Sequence, residues 1–452
     1  MNKVDLAVIG AGPGGYEAAF LAADLGMSVA LIEKDAVGGT CLNRGCIPTK
    51  CLLHSAEILR ETREAGVYGI QAGNAVCDPA RMQERKREVI QTLRSGIETM
   101  AKRKKVTLIR GIGTIHGDGV VSIRTAEGEE PLQAENILIA TGSKPAMPPI
   151  PGIGLKNVVT SDELLDWKEP IGRLVIIGGG VIGMEFATLY EAMGTQVTVI
   201  EAMNQLLPNM DREIGQSLKM AMKKRGVNIC TGARVTEIRK ADDGSLICAY
   251  DTGKAETAEA DVILVCVGRR PCTEGLFAEG IAPETERGRI VVNADYETSI
   301  PHVYAIGDVI GGIMLAHAAT AEGKNAVYHM AERPERIDLR YVPSCVYTAP
   351  EIACVGMTME EAKAAGIAAD SRKALMTANG RTVIAGGDRG YIRTVFEKES
   401  GKLLGAQMMC ERATDLISEF TLALSMGISI QKMGRIVRPH PTFEEAITDC
   451  TG

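Results

Sequence analysis

Short apolar runs, each too brief for a helix, recur along the chain at residues 4–9, 28–32, 136–140, 173–177, 196–200 and 261–267. Such runs bounded by glycine are the pattern of strands in a parallel sheet. Stretches of helical spacing separate them, as with Ala18, Ala19, Leu21 and Ala22 after the first run. Strand and helix alternate, and the alternation predicts an α/β fold with parallel, Rossmann-like sheets. Residues 51–64 and 79–104 read as two further helices, the second capped by Asp78 with Pro79 at its first position. Its basic end, 102–105, is a solvated helix C-terminus that complements the macrodipole. From 106 to 138 short alternating strands such as 120–124 suggest a β-meander that returns to the sheet.

Two of the apolar runs enter the same glycine pattern. The first leads into Gly10, Gly12 and Gly15, the second into Gly178, Gly180 and Gly183. Each is followed by a helix and by a strand that ends in an acid, Glu33 or Glu201, and the third glycine and the acid are 18 residues apart in both copies. The glycines permit a tight turn, the helix N-terminus faces a pyrophosphate, and the acid accepts from a ribose hydroxyl. The spacing therefore predicts two dinucleotide sites in one chain. No Arg or Lys follows Glu201 before Arg212, so nothing nearby would hold a 2′-phosphate, and NAD is favoured over NADP at the second site.

Just after the first site, residues 38–50 hold Cys41 and Cys46 five positions apart among glycines, with Pro48 and Lys50 downstream. On a straight helix that spacing means about 7.5 Å of rise and side chains roughly 140° apart. A disulfide needs Cα atoms within about 4.4–6.8 Å, so closure requires a distortion of the kind Gly45 and Pro48 permit. The spacing alone fits two unrelated buried thiols equally well. Two dinucleotide sites beside a Cys pair, taken together, imply electron transfer between two cofactors and a disulfide.

Composition narrows the setting. At 452 residues the chain exceeds one core. A net charge of −7 argues against nucleic acid or anionic membrane as the main partner. No apolar run approaches the roughly 18 residues of a membrane span. Twelve scattered cysteines and the lack of a signal-peptide pattern at the N-terminus point to a reducing cytoplasm.

With these motifs in hand, the chain resembles the pyridine-nucleotide disulfide oxidoreductases along essentially its whole length, and most closely their dihydrolipoamide dehydrogenase branch. Residues 38–50 are similar to the family's redox-active disulfide signature. Thr298 and the stretch 303–308 are similar to its second flavin motif, continued by 315–317 and 322–323. Residues 341–351 resemble the opening of its dimer-interface region, and 438–445 resemble the segment that carries the catalytic His and its partner Glu.

The resemblance implies an FAD-binding domain over 1–146, an NAD-binding domain over 147–268, a central domain over 269–338 that completes the FAD site, and an α+β dimerisation domain over 339–452. It implies FAD held near Gly10, Gly12, Gly15, Glu33, Lys50, Gly113, Thr141, Gly142, Ser143, Asp308 and Ala316. It implies NAD near Gly178, Gly180, Gly183, Glu185, Glu201, Val235 and Gly268, with Glu185 paired to Lys50. Cys41 would be the sulfur that exchanges with substrate and Cys46 the one that faces flavin. The implied activity is reoxidation of protein-bound dihydrolipoamide by a homodimer, with electrons passing through the Cys41–Cys46 disulfide and FAD to NAD. The implied partner is a lipoyl domain or lipoyl carrier of a multienzyme complex.

His440 lies between Pro439 and Pro441, so its backbone is restricted. Glu445 can hydrogen-bond one ring nitrogen and leave the other as a base. Without the family this reads sooner as a surface His in a proline turn; with it, His440 is the general base. The setting makes His440–Pro441 a candidate for a cis bond. Arg438 stands where the family often has His. Cys450, the lone cysteine near the C-terminus, is expected in a mobile tail, whereas mercuric reductases end in a cysteine pair. Another disulfide or metal-ion reductase of the same superfamily, and a non-catalytic scaffold that only binds nucleotides, are the competing readings.

Overall fold

The structure, a computed structural model, describes residues 2–387 and 389–452. The first glycine motif opens a parallel sheet in which the strands Thr107–Arg110, Val29–Glu33, Asn2–Ile9 and Glu129–Ile139 lie side by side. Leu6, Val8 and Leu31 point into one core and Ala7, Ile9 and Ile32 into another, so the strand is apolar on both faces and runs without alternation. The long Glu129–Ile139 strand is where this seven-stranded sheet changes from parallel to antiparallel pairing. Its start pairs antiparallel with Val120–Arg124, the predicted meander, and its end pairs parallel with Val303–Ala305.

The second glycine motif repeats the plan. Asn228–Thr231, Gln196–Glu201, Arg173–Ile177, Val262–Val265 and Val158–Val159 form a parallel sheet in that order. A three-stranded antiparallel sheet, Arg234–Lys240, Leu246–Asp251 and Ala255–Ala260, completes the unit. The C-terminal region is a five-stranded antiparallel sheet, with Ser344–Val346 at one edge and Ala369–Leu375 at the other, backed by the helix Ala413–Ser425. Both Rossmann-like units and the α+β region thus take the predicted fold class.

The helix expected over 51–64 begins five residues earlier, at Cys46, and a separate short helix, Gly39–Arg44, precedes it. The long helix is Pro79–Arg103, with Lys104 at its C-cap, and Asp78 Oδ1 accepts from the Arg81 N–H at 3.1 Å as its cap. On it Lys86 is 2% exposed and donates to Leu165 O and Asp166 Oδ1, both at 2.6 Å, tying the first unit to the second.

Cys450 corrects the expectation of a mobile tail. It ends the short helix Glu445–Asp449 and is fully buried, packed in the core of the C-terminal sheet. Its carbonyl accepts from Thr394 Oγ1 at 2.7 Å, so the last turn is part of that core.

Candidate active site

Both glycine turns have the same geometry. Gly10 and Gly178 sit at φ +104 and +118, and a Cβ on either would lie 2.4 or 2.6 Å from the carbonyl oxygen of Ala140 or Cys266. A Cβ on Gly15 or Gly183 would lie 2.0 Å from the oxygen of Gly10 or Gly178, so helix and strand meet at van der Waals contact only because both are glycine. Gly12 and Gly180 cap the helices Pro13–Asp24 and Val181–Ala192, and no side chain caps either one. Uncapped N–H groups at a helix N-terminus, beside a glycine that leaves space, suit the pyrophosphate of a dinucleotide. The residues present therefore fit a dinucleotide at each turn, as FAD and NAD require.

The two acids do more than the sequence suggested. Glu33 accepts from the N–H groups of Ala11 (2.8 Å) and Asp35 (2.9 Å). Glu201 accepts from those of Gly179 and Met203 in the same way. Each carboxylate thus ties its glycine turn to the end of the following strand. It keeps lone pairs free for a ribose diol.

Between the turns lies one cavity of about 2150 Å³. Single small-ligand pockets run to about 300–1,000 Å³, so this one has room for two large cofactors. Gly10, Gly12, Gly15, Glu33, Cys41, Cys46, Lys50, Gly113, Thr141, Gly142, Ser143, Asp308 and Ala316 line it. So do Gly178, Gly180, Glu185, Glu201, Val235 and Gly268. Gly183 does not; its place is the helix–strand contact already described. His440 and Glu445 also lie outside the lining.

The Cys pair hangs on Gly45. Its backbone, at φ −143 and ψ −115, separates the short helix Gly39–Arg44 from the long helix Cys46–Glu64. A Cβ there would meet Thr40 O at 2.9 Å and Cys41 Cα at 3.2 Å. Pro48 lies in the first turn of the following helix, where its missing N–H costs nothing, so Gly45 alone carries the distortion. Gly39 brings this segment against the first glycine turn: a Cβ on it would lie 2.6 Å from Gly12 Cα.

In the dithiol form the two sulfurs share a hydrogen bond. That bond, and then burial, push the Cys41 thiol well above its usual range. Cys46 is drawn down to about 7, chiefly by the hydrogen bond from Cys41, with Lys50 helping against burial and Glu185. The charge settles on Cys46, which is exposed, but towards the interior of the cavity.

Lys50 donates to both oxygens of Glu185, at 2.8 and 2.7 Å. Its ammonium also lies 4.6 Å from the centre of the Tyr347 ring, whose own N–H donates to Glu185 at 3.1 Å. Tyr347 falls in the stretch 341–351 that resembles the interface region. Nothing in its spacing shows that it closes the wall behind Lys50. Asp308 accepts from Ser143 Oγ, which itself accepts from Arg269 Nε at 2.7 Å. Arg269 was also missed.

His440 Nδ1 lies 2.8 Å from Glu445 Oε1, and the His440–Pro441 bond is cis, as the proline-flanked turn suggested; Ala349–Pro350 is cis as well. Glu445 is held below the usual carboxylate range by the Thr442 N–H and then by His440. The His440 side chain is 80% exposed, so its free nitrogen faces outward from the C-terminal region.

Comparison with known proteins matches residues 4–323 to the pyridine nucleotide-disulphide oxidoreductase family, and residues 342–450 to that family's dimerisation domain, which supports a homodimer. A dihydrolipoyl dehydrogenase of Bacillus subtilis is 39% identical over 99% of this chain and 97% of its own length. One of Thermus scotoductus is 40% identical over the same shares. Among solved structures, LpdA of Mycobacterium tuberculosis superposes with a TM-score of 0.92 at 25% identity over 100% of this chain and 99% of its own. The HOCl-induced flavoprotein disulfide reductase RclA of Escherichia coli, as its Cu(II) complex, does so at 0.89 and 29%, with the same coverage. Two nucleotide turns, a cysteine pair between them and a matched dimerisation domain agree: the chain belongs to the pyridine nucleotide-disulphide oxidoreductase family, whose cofactors are FAD and NAD.

Proposed function

We propose that this protein is an NAD-dependent dihydrolipoyl dehydrogenase that reoxidises lipoyl groups carried by a lipoyl domain or carrier protein of a cytoplasmic multienzyme complex. The observation that carries this reading is the Cys41–Cys46 pair at a helix break, inside the cavity that both glycine turns share. The curated relatives named dihydrolipoyl dehydrogenase support the substrate.

When bound, FAD and NAD supply the two-electron relay that regenerates the disulfide. The chain supplies the thiol exchange. His440, which lies outside the cavity of its own chain and would reach the site of the other subunit in a homodimer, takes a proton from one substrate thiol through the nitrogen that Glu445 leaves free, and Glu445 steadies the resulting imidazolium. The substrate thiolate attacks Cys41 Sγ, the Cys41–Cys46 bond breaks, and Cys46 departs as a thiolate. The second substrate thiol then attacks the substrate sulfur bound to Cys41, and its proton passes to the departing Cys41 sulfur. This closes the lipoyl disulfide and releases Cys41. The electron pair taken from the two thiols now resides in the Cys41–Cys46 dithiol. Its charge rests on Cys46, which Cys41 and Lys50 favour as the anion. Lys50, fixed by Glu185, would set the charge beside a bound flavin.

The test is turnover of the dihydrolipoamide–NAD couple, set against NADH oxidation by glutathione disulfide and by mercuric ion, for the wild type and for Cys41→Ser and Cys46→Ser. Dihydrolipoamide should be preferred, and either substitution should abolish its oxidation while the protein stays yellow. Full turnover in either variant would end the assignment.

A further inference from the structure

The segment that carries His440 is poorly held by its own backbone. Ile436 is 50% exposed and Val437 95%, and among the described residues no backbone hydrogen bond runs from the N–H of Val437, Arg438 or His440. A catalytic side chain on such a segment needs anchors outside it.

Arg438 is one. Its side chain, 5% exposed, turns inward from an exposed run. Nη1 donates to Thr448 Oγ1 at 2.8 Å, to Met433 O at 3.3 Å and to Ile436 O at 3.4 Å. Nη2 donates to Glu419 on the helix Ala413–Ser425. One guanidinium thus joins three elements. Thr448 lies three residues after Glu445 on the helix Glu445–Asp449, and so on the face that presents Glu445. The path from Arg438 to the base is short: Thr448 fixes the helix, and Glu445 on its first turn fixes the ring of His440.

The far side of the segment has its own anchor. Asn379 Nδ2 donates to Thr442 O at 2.9 Å; Thr442 in turn donates from N–H to Glu445 Oε2 at 2.9 Å and from Oγ1 to Pro439 O at 2.8 Å. Arg438 is the cationic anchor of this frame, with Glu419 as its partner. A planar fork with several donors suits acceptors on three elements; a point charge does not.

We propose that Arg438 is a positioning residue for His440: it holds the Pro439–Pro441 turn and the Glu445 helix in one register, and so aims the base. The proposal rests on His440 being the general base. It concerns geometry; Arg438 does not touch substrate.

The experiment is a double-mutant cycle on the flavin-loaded dimer, with dihydrolipoamide oxidation and its pH profile as readouts, and flavin spectrum and thermal midpoint as checks of folding. Arg438→Met should lower kcat/KM by about 10- to 10²-fold and change the pH profile. Arg438→Lys should recover only part of the loss. In a His440→Gln background Arg438→Met should cost almost nothing more, because a misaimed base and a missing one fail alike. If Arg438→Met does not fold, Thr448→Val removes one of the bonds and should show the same non-additivity at a smaller loss. Multiplying losses, or an unchanged rate in Arg438→Met, would overturn the proposal while leaving the base intact. A silent His440→Gln would overturn the base reading itself, and the proposal with it.

Discussion

Lys50 and Glu185 are 135 residues apart and meet through two hydrogen bonds of 2.8 and 2.7 Å, joining the helix that carries Cys46 to the helix that opens the second nucleotide turn. Glu185 is only 3% exposed. The pair tunes the thiol next to it, since Lys50 draws the Cys46 pKa down and Glu185 pushes it up. In the reduced protein the ultraviolet absorbance of the Cys46 thiolate should titrate at about 7. Glu185→Gln should move that midpoint down and Lys50→Met should move it up. Cys41→Ala, which leaves no donor, should move it up furthest, because the Cys41 hydrogen bond is the largest cause of the depression. Coincident midpoints in all four proteins would contradict the arrangement. Lys50→Met also leaves a buried carboxylate with only the Tyr347 N–H and should cost about 3 kcal/mol, more than Glu185→Gln.

Gly45 makes a second prediction. Any Cβ at this position presses on Thr40 O and Cys41 Cα, so Gly45→Ala should push the helices that carry Cys41 and Cys46 apart. Cys41 and Cys46 should then stay titratable by thiol reagents after the oxidation that closes the wild-type disulfide. A thiol count equal to that of the oxidised wild type would show that the break tolerates a side chain.

What could be read from the sequence follows from how local each constraint is. The glycine turns were legible because a tight turn against a helix N-terminus demands glycine at fixed offsets, and the chain does it twice. The break between Cys41 and Cys46 was legible for the same reason, although Pro48 shared the credit until the backbone showed Gly45 alone at fault. The Lys50–Glu185 pair came only through family resemblance, since no periodicity links residues so far apart. Lys86 was invisible. In a run of charged helical residues it looks solvated, yet it is buried because its acceptors, Leu165 O and Asp166, come from the other nucleotide unit. Cys450 misled for the opposite reason: its place near the chain end suggested mobility, while Thr394, far away in sequence, fixes its carbonyl.

Glu322 carries a third prediction. It is 9% exposed, and its carboxyl is pushed up to about 7 by burial, with Asp308 adding to the rise and the Gly307 N–H opposing it. At pH below about 4.5 the folded and unfolded states are both protonated, and the group contributes nothing. As pH rises from there to about 7 the unfolded chain ionises while the folded one keeps its proton, so stability falls. Above that window the penalty is complete, with an upper bound of about 3 kcal/mol. Glu322→Gln keeps an oxygen for the Gly307 N–H and carries no charge. It should raise the thermal midpoint at pH 8 and leave it unchanged at pH 4. A midpoint that gains equally at both would refute the ionisation argument.

Glu201 makes the last prediction, because it has two tasks. Its carboxylate accepts from the Gly179 and Met203 N–H groups and also stands where a 2′-phosphate would be repelled. Removing it should therefore damage the site before it changes its preference. Glu201→Ala loses both backbone bonds, frees the glycine turn, and should raise KM for NAD by at least about tenfold without making NADP a good substrate. Met203 is 56% exposed beside it, so Met203→Arg in the Glu201→Ala background would supply the missing cation. Only the double variant should prefer NADP, measured as the ratio of kcat/KM for the two nucleotides. If Glu201→Ala alone reverses that ratio, the carboxylate acts by charge alone and its hold on the glycine turn is incidental. If the double variant still prefers NAD with a raised KM, the turn itself, and not the charge at the strand end, sets the choice.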